Sequence, residues 1–183
     1  MSSIRISRRA LALHIAAAPF ALGAAAAGDG AAPGSDGLSH SAAAIRQQLK
    51  FNAPRRRVYE ALTNASEFEA VTRLSDALAL VTAPGAKPTS IGREAGGAFT
   101  LFGGYITGRN LELQPNERLV QAWRTADWKP GEYSIAGFAF LEEGAGTTLV
   151  FDHRGFPDDA GEHLAHGWHV HYWTPLAKYL SRL

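Results

Sequence analysis

Four histidines within nine residues, His163, His166, His169 and His171, are the densest group of side chains in this chain able to do chemistry. On a helix, steps of three set the first three along a drifting stripe of one face, where imidazoles can ligate zinc or copper. The pattern stops short of a metal site. Glu162 is the only carboxylate in the segment, the i,i+4 pairing of helical metal ligands is missing, and HxxH lacks the glutamate of HExxH. A surface or groove role without metal is expected, and no cofactor. His153 is a different case, because Leu149, Phe151 and His153 alternate along one face of a strand. If that face lines a cavity, the imidazole can orient or protonate a ligand near neutral pH. Packed against a backbone carbonyl, it is only a core histidine. Tyr105 and Tyr133 are the phenols available as acid/base partners if the chain is a cofactor-free cyclase, dehydratase or hydrolase.

Other reactive patterns are missing. There are no cysteines, which removes disulfides, thiolate metal sites and thiol nucleophiles. No nucleophile elbow, phosphate-binding glycine loop, dinucleotide fingerprint or paired-carboxylate spacing stands out. Large apolar area comes from Phe99, Tyr105, Trp123, Trp128, Tyr133, Phe138, Phe140, Phe151, Trp168 and Tyr172, as a core or as the lining of a ligand cavity. Gln121 shares strand parity with Leu119 and Trp123 and would be a half-buried amide in need of partners. Trp128 and Tyr133 flank Lys129-Pro130-Gly131, a loop able to guard an entrance.

The elements that must position these residues follow from periodicity. Ile45 to Asn52 alternates as a half-buried strand. Pro54 opens a short helix ending near Thr63-Asn64, and Ser66 with Glu69 is a capping-box candidate for a second helix through about Arg73. Strand-like runs follow at Ala98–Phe102, Tyr105–Gln114, Arg118–Thr125, Tyr133–Glu142 and Gly146–Arg154. They are joined at Gly103-Gly104, Pro115-Asn116 and Glu143-Gly144 by turns too short for parallel crossovers. From Gly161 to Leu183, apolar residues recur at three and four, which describes a long amphipathic helix with a kink expected at Pro175. An antiparallel sheet with one apolar face needs a cover, and this helix is the only element long enough. The expected class is α+β: a curved six- to seven-stranded antiparallel sheet wrapped around a long C-terminal helix, two short helices after the first strand, and a cavity between sheet and helix. This is the helix-grip architecture.

Upstream, Arg5, Arg8 and Arg9 precede an alanine-rich apolar run ending at Ala24–Ala27, with no acid before Asp29. That order is the one an export signal needs, and the arginine pair resembles a twin-arginine signal. Residues 1–27 are read as the signal, 28–42 as a Gly/Ala/Ser/Pro linker, and 43–183 as one domain of a size that buries roughly two-thirds of its unfolded surface. Removing the three arginines leaves 15 bases against 17 acids, so the basicity of the whole chain, net +1, becomes net −2. A mildly acidic domain has no electrostatic reason to bind nucleic acid or an anionic membrane. A periplasmic or otherwise exported domain, monomeric or homodimeric and with no stable membrane insertion after processing, is expected.

Several short motifs appear in a recognisable order: Phe51-Asn52-Ala53-Pro54, Val58-Tyr59-Glu60-Ala61-Leu62, Gly96-Gly97-Ala98-Phe99, Gly108 to Pro115, Arg118 to Trp123, Gly146 to His153, and Gly167-Trp168. Together they resemble the family of homologues of the activator of heat shock protein 90 ATPase, within the START-like, birch-pollen-allergen-like (SRPBCC) superfamily, over nearly all of residues 44–183. The resemblance implies a cavity that takes a small hydrophobic or aromatic ligand, and the residues read above as candidates to line it are Phe99, Tyr105, Trp123, Tyr133, Phe138, Phe151, His153, Trp168 and Tyr172. It also leaves open catalysis through His153, or a protein-interaction module with an exposed apolar groove. Activation of a heat shock protein needs a cytosolic ATP-driven partner, which the export signal argues against.

Overall fold

Alternating residues at the start of the domain form strand β1 (Ala44–Phe51), with Ile45 and Phe51 turned inward. A computed structural model describes residues 44–182; the segments read from sequence as an export signal and a linker, residue 43 and the C-terminal residue lie outside them. Pro54 follows β1 as the N-cap of α1 (Arg55–Thr63), its carbonyl accepting from Arg57 and Val58 N–H. The cap of α2 (Ala65–Thr72) is Asn64, not the Ser66–Glu69 pair. Its Oδ1 accepts from the backbone N–H of Ser66 and Glu67, which places Ser66 inside the first turn. A five-residue helix, α3 (Leu78–Thr82), has no buried residue.

The sheet continues with β2 (Ser90–Ile91), β3 (Ala98–Leu101), β4 (Ile106–Gln114), β5 (Arg118–Thr125), β6 (Ser134–Glu143) and β7 (Gly146–Arg154). All seven strands pair antiparallel in the order β1-β7-β6-β5-β4-β3-β2. β2 is too short to show a period, which is why alternation alone misses it. The turns predicted at Gly103-Gly104, Asn116 and Gly144 have left-handed backbone there.

The C-terminal segment is helical from Gly161 to Leu180 but not uniformly so. Helix α4 (Gly161–Gly167) passes into a π-helical turn (Trp168–Trp173) and then α5 (Thr174–Leu180). The Thr174 N–H bonds back five residues, to His169 O. Pro175 lacks an N–H and its ring would crowd the carbonyl four residues earlier, so the expected kink takes the form of a widened turn just upstream. The widening brings Trp173, five residues after Trp168, to the buried side together with Tyr172. Trp173 Nε1 donates to Gln47 Oε1 at 2.5 Å, and Gln47 Nε2 donates to Ala165 O at 3.2 Å, fixing the helix against β1. Phe138, Phe151, Leu149 and Leu176 close the core between helix and sheet, each such side chain worth about 2 kcal/mol of apolar burial. Among the described residues no helix is long and apolar enough to cross a membrane.

Candidate functional site

Two polar arrangements meet at the Trp123–Trp168 pair, whose rings lie 5.5 Å apart. The first surrounds His153, which is fully buried. Indole Nε1–H of Trp168 donates to His153 Nδ1 at 2.9 Å. An indole can only donate, so Nδ1 accepts and the ring proton sits on Nε2. That nitrogen lies 2.6 Å from Ser134 Oγ, which itself donates to Trp123 O at 2.9 Å. The chain Trp168 → His153 → Ser134 → Trp123 carbonyl therefore has every polar atom partnered. Aromatic rings of Trp123, Phe151, Phe156 and Trp168 enclose it, and burial pushes the imidazole pKa down to about 3. His153 is thus held neutral, bonded to side chains rather than to the backbone carbonyl anticipated for a core histidine.

The second arrangement is a cavity of about 130 Å³ between α4 with its π turn, strands β4 and β5, and the Phe102–Gly104 turn with α3. Its walls include Tyr105, Trp123, Trp168 and Tyr172 from the sequence-predicted set. Phe99, Phe138, Phe151 and His153 do not reach it; all four are at most 3% exposed in the closed core. Tyr133 is half exposed and lies under the Arg124 guanidinium, 5.6 Å from its ring centre, away from the cavity. Trp128 packs edge-on against Trp123 at 5.6 Å instead of standing free.

The remaining wall includes Phe102, Ile106 and Thr125, which sequence did not single out, and three of the clustered histidines, the exposed His163 and His166 and the half-buried His171. Parity along β5 carries a signal for Thr125, since Leu119, Gln121, Trp123 and Thr125 alternate inward together. For the histidines the spacing was visible, but the π turn that swings His171 toward the cavity was not. His169 stays exposed and outside the cavity. Among the described residues no cluster of His, Asp and Glu is arranged to hold a metal ion.

The polar atoms of this cavity are unusual. Buried side-chain atoms without a hydrogen-bond partner, among the described residues, are Trp123 Nε1, Thr125 Oγ1, His171 Nδ1 and Tyr172 Oη, and all four residues line the cavity. Thr125 lies near enough to Asp127 to hold that carboxyl below its ordinary range, yet without hydrogen-bond geometry. Trp123 stands in the same relation to the Tyr172 hydroxyl, whose pKa burial drives well above the ordinary phenol value. Desolvation also lowers the His171 pKa, with His166 and His163 adding to the shift and Asp76 opposing it. At the mouth, the Tyr105 hydroxyl donates to Asp127 Oδ1 at 3.3 Å.

One wall depends on a close approach. Gly103 has φ 69°, and a Cβ there would sit 2.2 Å from the carbonyl oxygen of Leu80. Only glycine lets this turn carry α3 against the cavity, with Leu80 lining the cavity and still 44% exposed.

Residues 52–181 match the model of the family described as Activator of Hsp90 ATPase homolog 1-like protein. The chain is 29% identical over 150 residues to an uncharacterized protein of Schizosaccharomyces pombe, covering 80% of this chain and 41% of that one. It is 27% identical over 89 residues to the human Activator of 90 kDa heat shock protein ATPase homolog 1, covering 49% of this chain and 26% of that one. This chain therefore spans less than half the length of these curated relatives. Among solved structures, an HSP90 activator from Plasmodium falciparum superposes with a TM-score of 0.65 at 21% identity, covering 75% of this chain and 96% of that one. Protein CV1439 from Chromobacterium violaceum gives 0.59 at 25% identity, covering 75% and 96%. CalU16 from Micromonospora echinospora gives 0.59 at 21%, covering 75% and 76%.

Proposed function

We propose that this chain, which belongs to the Activator of Hsp90 ATPase homolog 1-like family, binds a small aromatic or apolar molecule carrying a polar group, in the cavity between its C-terminal helix and its sheet. The observation that carries this reading is the coincidence of the four unpartnered buried polar atoms with the walls of that cavity. An unpartnered polar atom in a closed interior costs about 1–3 kcal/mol, so such atoms are expected where a ligand or water supplies the missing bond. A volume of about 130 Å³ is close to that of dry engineered cavities of about 150 Å³ that admit benzene. One ring with a hydroxyl or carbonyl is therefore the size that fits, and a multi-ring ligand would require α3 to move. His153 acts here as a positioning residue, locking Trp168 in the wall, rather than as an acid or base.

The test is the mass of the full chain purified from the cells that make it, measured under native and denaturing conditions. A discrete extra mass released on unfolding is expected. If no mass is retained, and phenol and p-cresol give no saturable thermal stabilisation, the reading fails.

We further propose that residues 1–27 direct export through a twin-arginine route, because Arg8-Arg9 precede the apolar run and no acid interrupts it. Fusing residues 1–42 to a reporter active only after export should give signal, lost on replacing both arginines by lysine; signal that survives the replacement contradicts the route. Stimulation of a heat shock protein ATPase is not proposed for this chain.

A further inference from the structure

On the far side of the α1–α2 corner lies a second, larger cleft of about 530 Å³ that shares no lining residue with the cavity described above. One wall is the face of α1 carrying Arg56, Tyr59, Glu60 and Thr63, the i, i+3, i+4, i+7 positions of a helix. The opposite wall is the turn bearing Arg93 and the β4–β5 hairpin tip at Leu113–Asn116. The cleft is polar, and its charges are unevenly committed.

Its two carboxylates are occupied. Glu60 accepts from Arg56 and Arg57, each at 3.1 Å. Glu67 accepts from Arg57 at 3.3 Å and from the Tyr179 hydroxyl at 2.5 Å. Arg93 has no ion pair or hydrogen bond among the described residues; burial raises the Tyr59 pKa, and the nearby Arg93 charge opposes that rise. Tyr59 is buried, at 8% exposure, and its hydroxyl likewise has no partner among the described residues. Asn64 uses Oδ1 for the α2 cap, which leaves its NH2 group free toward the cleft it lines. Arg57, outside the lining, bonds both carboxylates, so of the two guanidinium groups that line the cleft Arg56 is paired and Arg93 is the one without a carboxylate partner, with two further donors beside it.

The backbone of the turn that bears Arg93 is held by a buried polar chain. Gln121 Nε2 donates to Asn110 Oδ1 at 2.9 Å, and Asn110 Nδ2 donates to Gly92 O at 2.6 Å. Asn110 is fully buried at a β-bulge, and its backbone ties down both Gly96 N–H and Gly97 O. A Cβ on Gly92 would lie 2.7 Å from Gly97 Cα, so the turn closes on itself with no room for a side chain. A network buried this deeply for a surface turn pre-organises the residue that the turn presents.

We propose that this cleft is a second binding site, taking a singly charged carboxylate on Arg93 with Tyr59 and Asn64 as further donors. Guanidinium matches carboxylate geometry with two parallel hydrogen bonds. A single unpaired guanidinium, with Glu60 and Glu67 in the walls, favours a monoanion over a phosphate dianion. The carboxylate belongs either to a free small acid or to an aspartyl or glutamyl side chain of a peptide.

The test is a titration of the 15N-labelled full chain with propionate, with an N-acetylated, C-amidated pentapeptide holding one Asp, and with inorganic phosphate, followed by NMR. Saturable shifts at the Arg93 Nε–H and the Asn64 side-chain amide are expected with both carboxylates, and Arg93→Gln should weaken them tenfold or more, the size of one charge-assisted bond. Arg93 is exposed, so the variant should fold as the wild type does. A peptide bound more than tenfold tighter than propionate identifies the source as a protein segment, and similar affinities identify a free acid; both keep the proposal. No saturable shift from either carboxylate, equal affinity in Arg93→Gln, or phosphate binding tighter than both overturns it. Phenol binding in the other cavity, measured on the same variant, is independent of these outcomes.

Discussion

The two ends of the Trp123–Trp168 pair use the same residue types in opposite ways. Toward His153, an imidazole, a hydroxyl, an indole and a carbonyl are all mutually bonded. Toward Tyr172, a phenol, a hydroxyl, an indole and an imidazole face a cavity and none of the four is bonded. A buried polar group is stabilising when its partner is built in and costly when it is not. The first arrangement therefore reads as structure, and the second as a site that awaits a partner from outside. One indole serves each side: Trp168 Nε1 is committed to His153, whereas Trp123 Nε1 is open.

The comparison breaks most readily at its closed end. His153→Ala would leave a hole in the aromatic cluster and orphan both Trp168 Nε1 and Ser134 Oγ, for an expected loss of about 3–5 kcal/mol. Thermal denaturation should show a fall of about 10 °C or more. A loss under about 1 kcal/mol would mean that the network is not what holds the two tryptophans.

Acid should reach the same end before it reaches most carboxylates. The folded His153 pKa lies near 3, below about 6.5 in the unfolded chain, so between these values the unfolded state binds the proton that the folded state excludes. Stability is then full above pH 6.5 and declines as pH falls, with His153 contributing roughly 2 kcal/mol of loss between pH 6.5 and 5. His171, also shifted down, adds in the same direction. Urea denaturation across that range checks the slope, which His153→Gln should flatten; a slope unchanged in that variant would place its origin elsewhere.

How far the sequence carried this reading differs between the two ends. Strand alternation put Leu149, Phe151 and His153 on one inward face and Asp152 and Arg154 outward, and the structure agrees. It also anticipated that Gln121 would need partners, which Asn110 supplies. Alternation identifies the inward face but does not tell core from cavity. That distinction depends on which inward residues the helix fails to cover, and so on the π turn at Trp168–Trp173 and on the Gly103–Leu80 contact. Neither is a periodic feature: one arises from a missing N–H at Pro175, the other from a backbone approach between segments 23 residues apart in sequence. The β5 face illustrates the limit, because Leu119 at one end is core while Trp123 and Thr125 at the other line the cavity.

Gly103→Ala sharpens the comparison from the open end. A methyl group there collides with Leu80 O and must adopt left-handed backbone, at an expected cost of about 2 kcal/mol. The strain falls on α3, which has no buried residue to resist it, so the helix should lift from the cavity while the His153 network stays intact. Hydrogen exchange should then accelerate at the Leu80 amide and not in β7. Acceleration spread evenly over both would show that the two ends are not separable.

Tyr172→Phe is the smallest change and divides the ends most cleanly, because its two expected effects have opposite signs. Removing one oxygen from a ring already packed against Phe68, Phe102 and Trp168 leaves the apolar contacts in place. It also deletes a hydroxyl that has no partner in the folded protein. The empty protein should therefore gain up to about 1 kcal/mol, the cost of the unpartnered group. Affinity for a phenol-sized ligand should fall by about five- to tenfold, the worth of one hydrogen bond to that ligand. A hydroxyl serving the fold alone would lower stability when removed and leave affinity untouched. Stability that rises while binding weakens is the signature of a polar group kept for a ligand, and denaturation and titration of the one variant measure both halves.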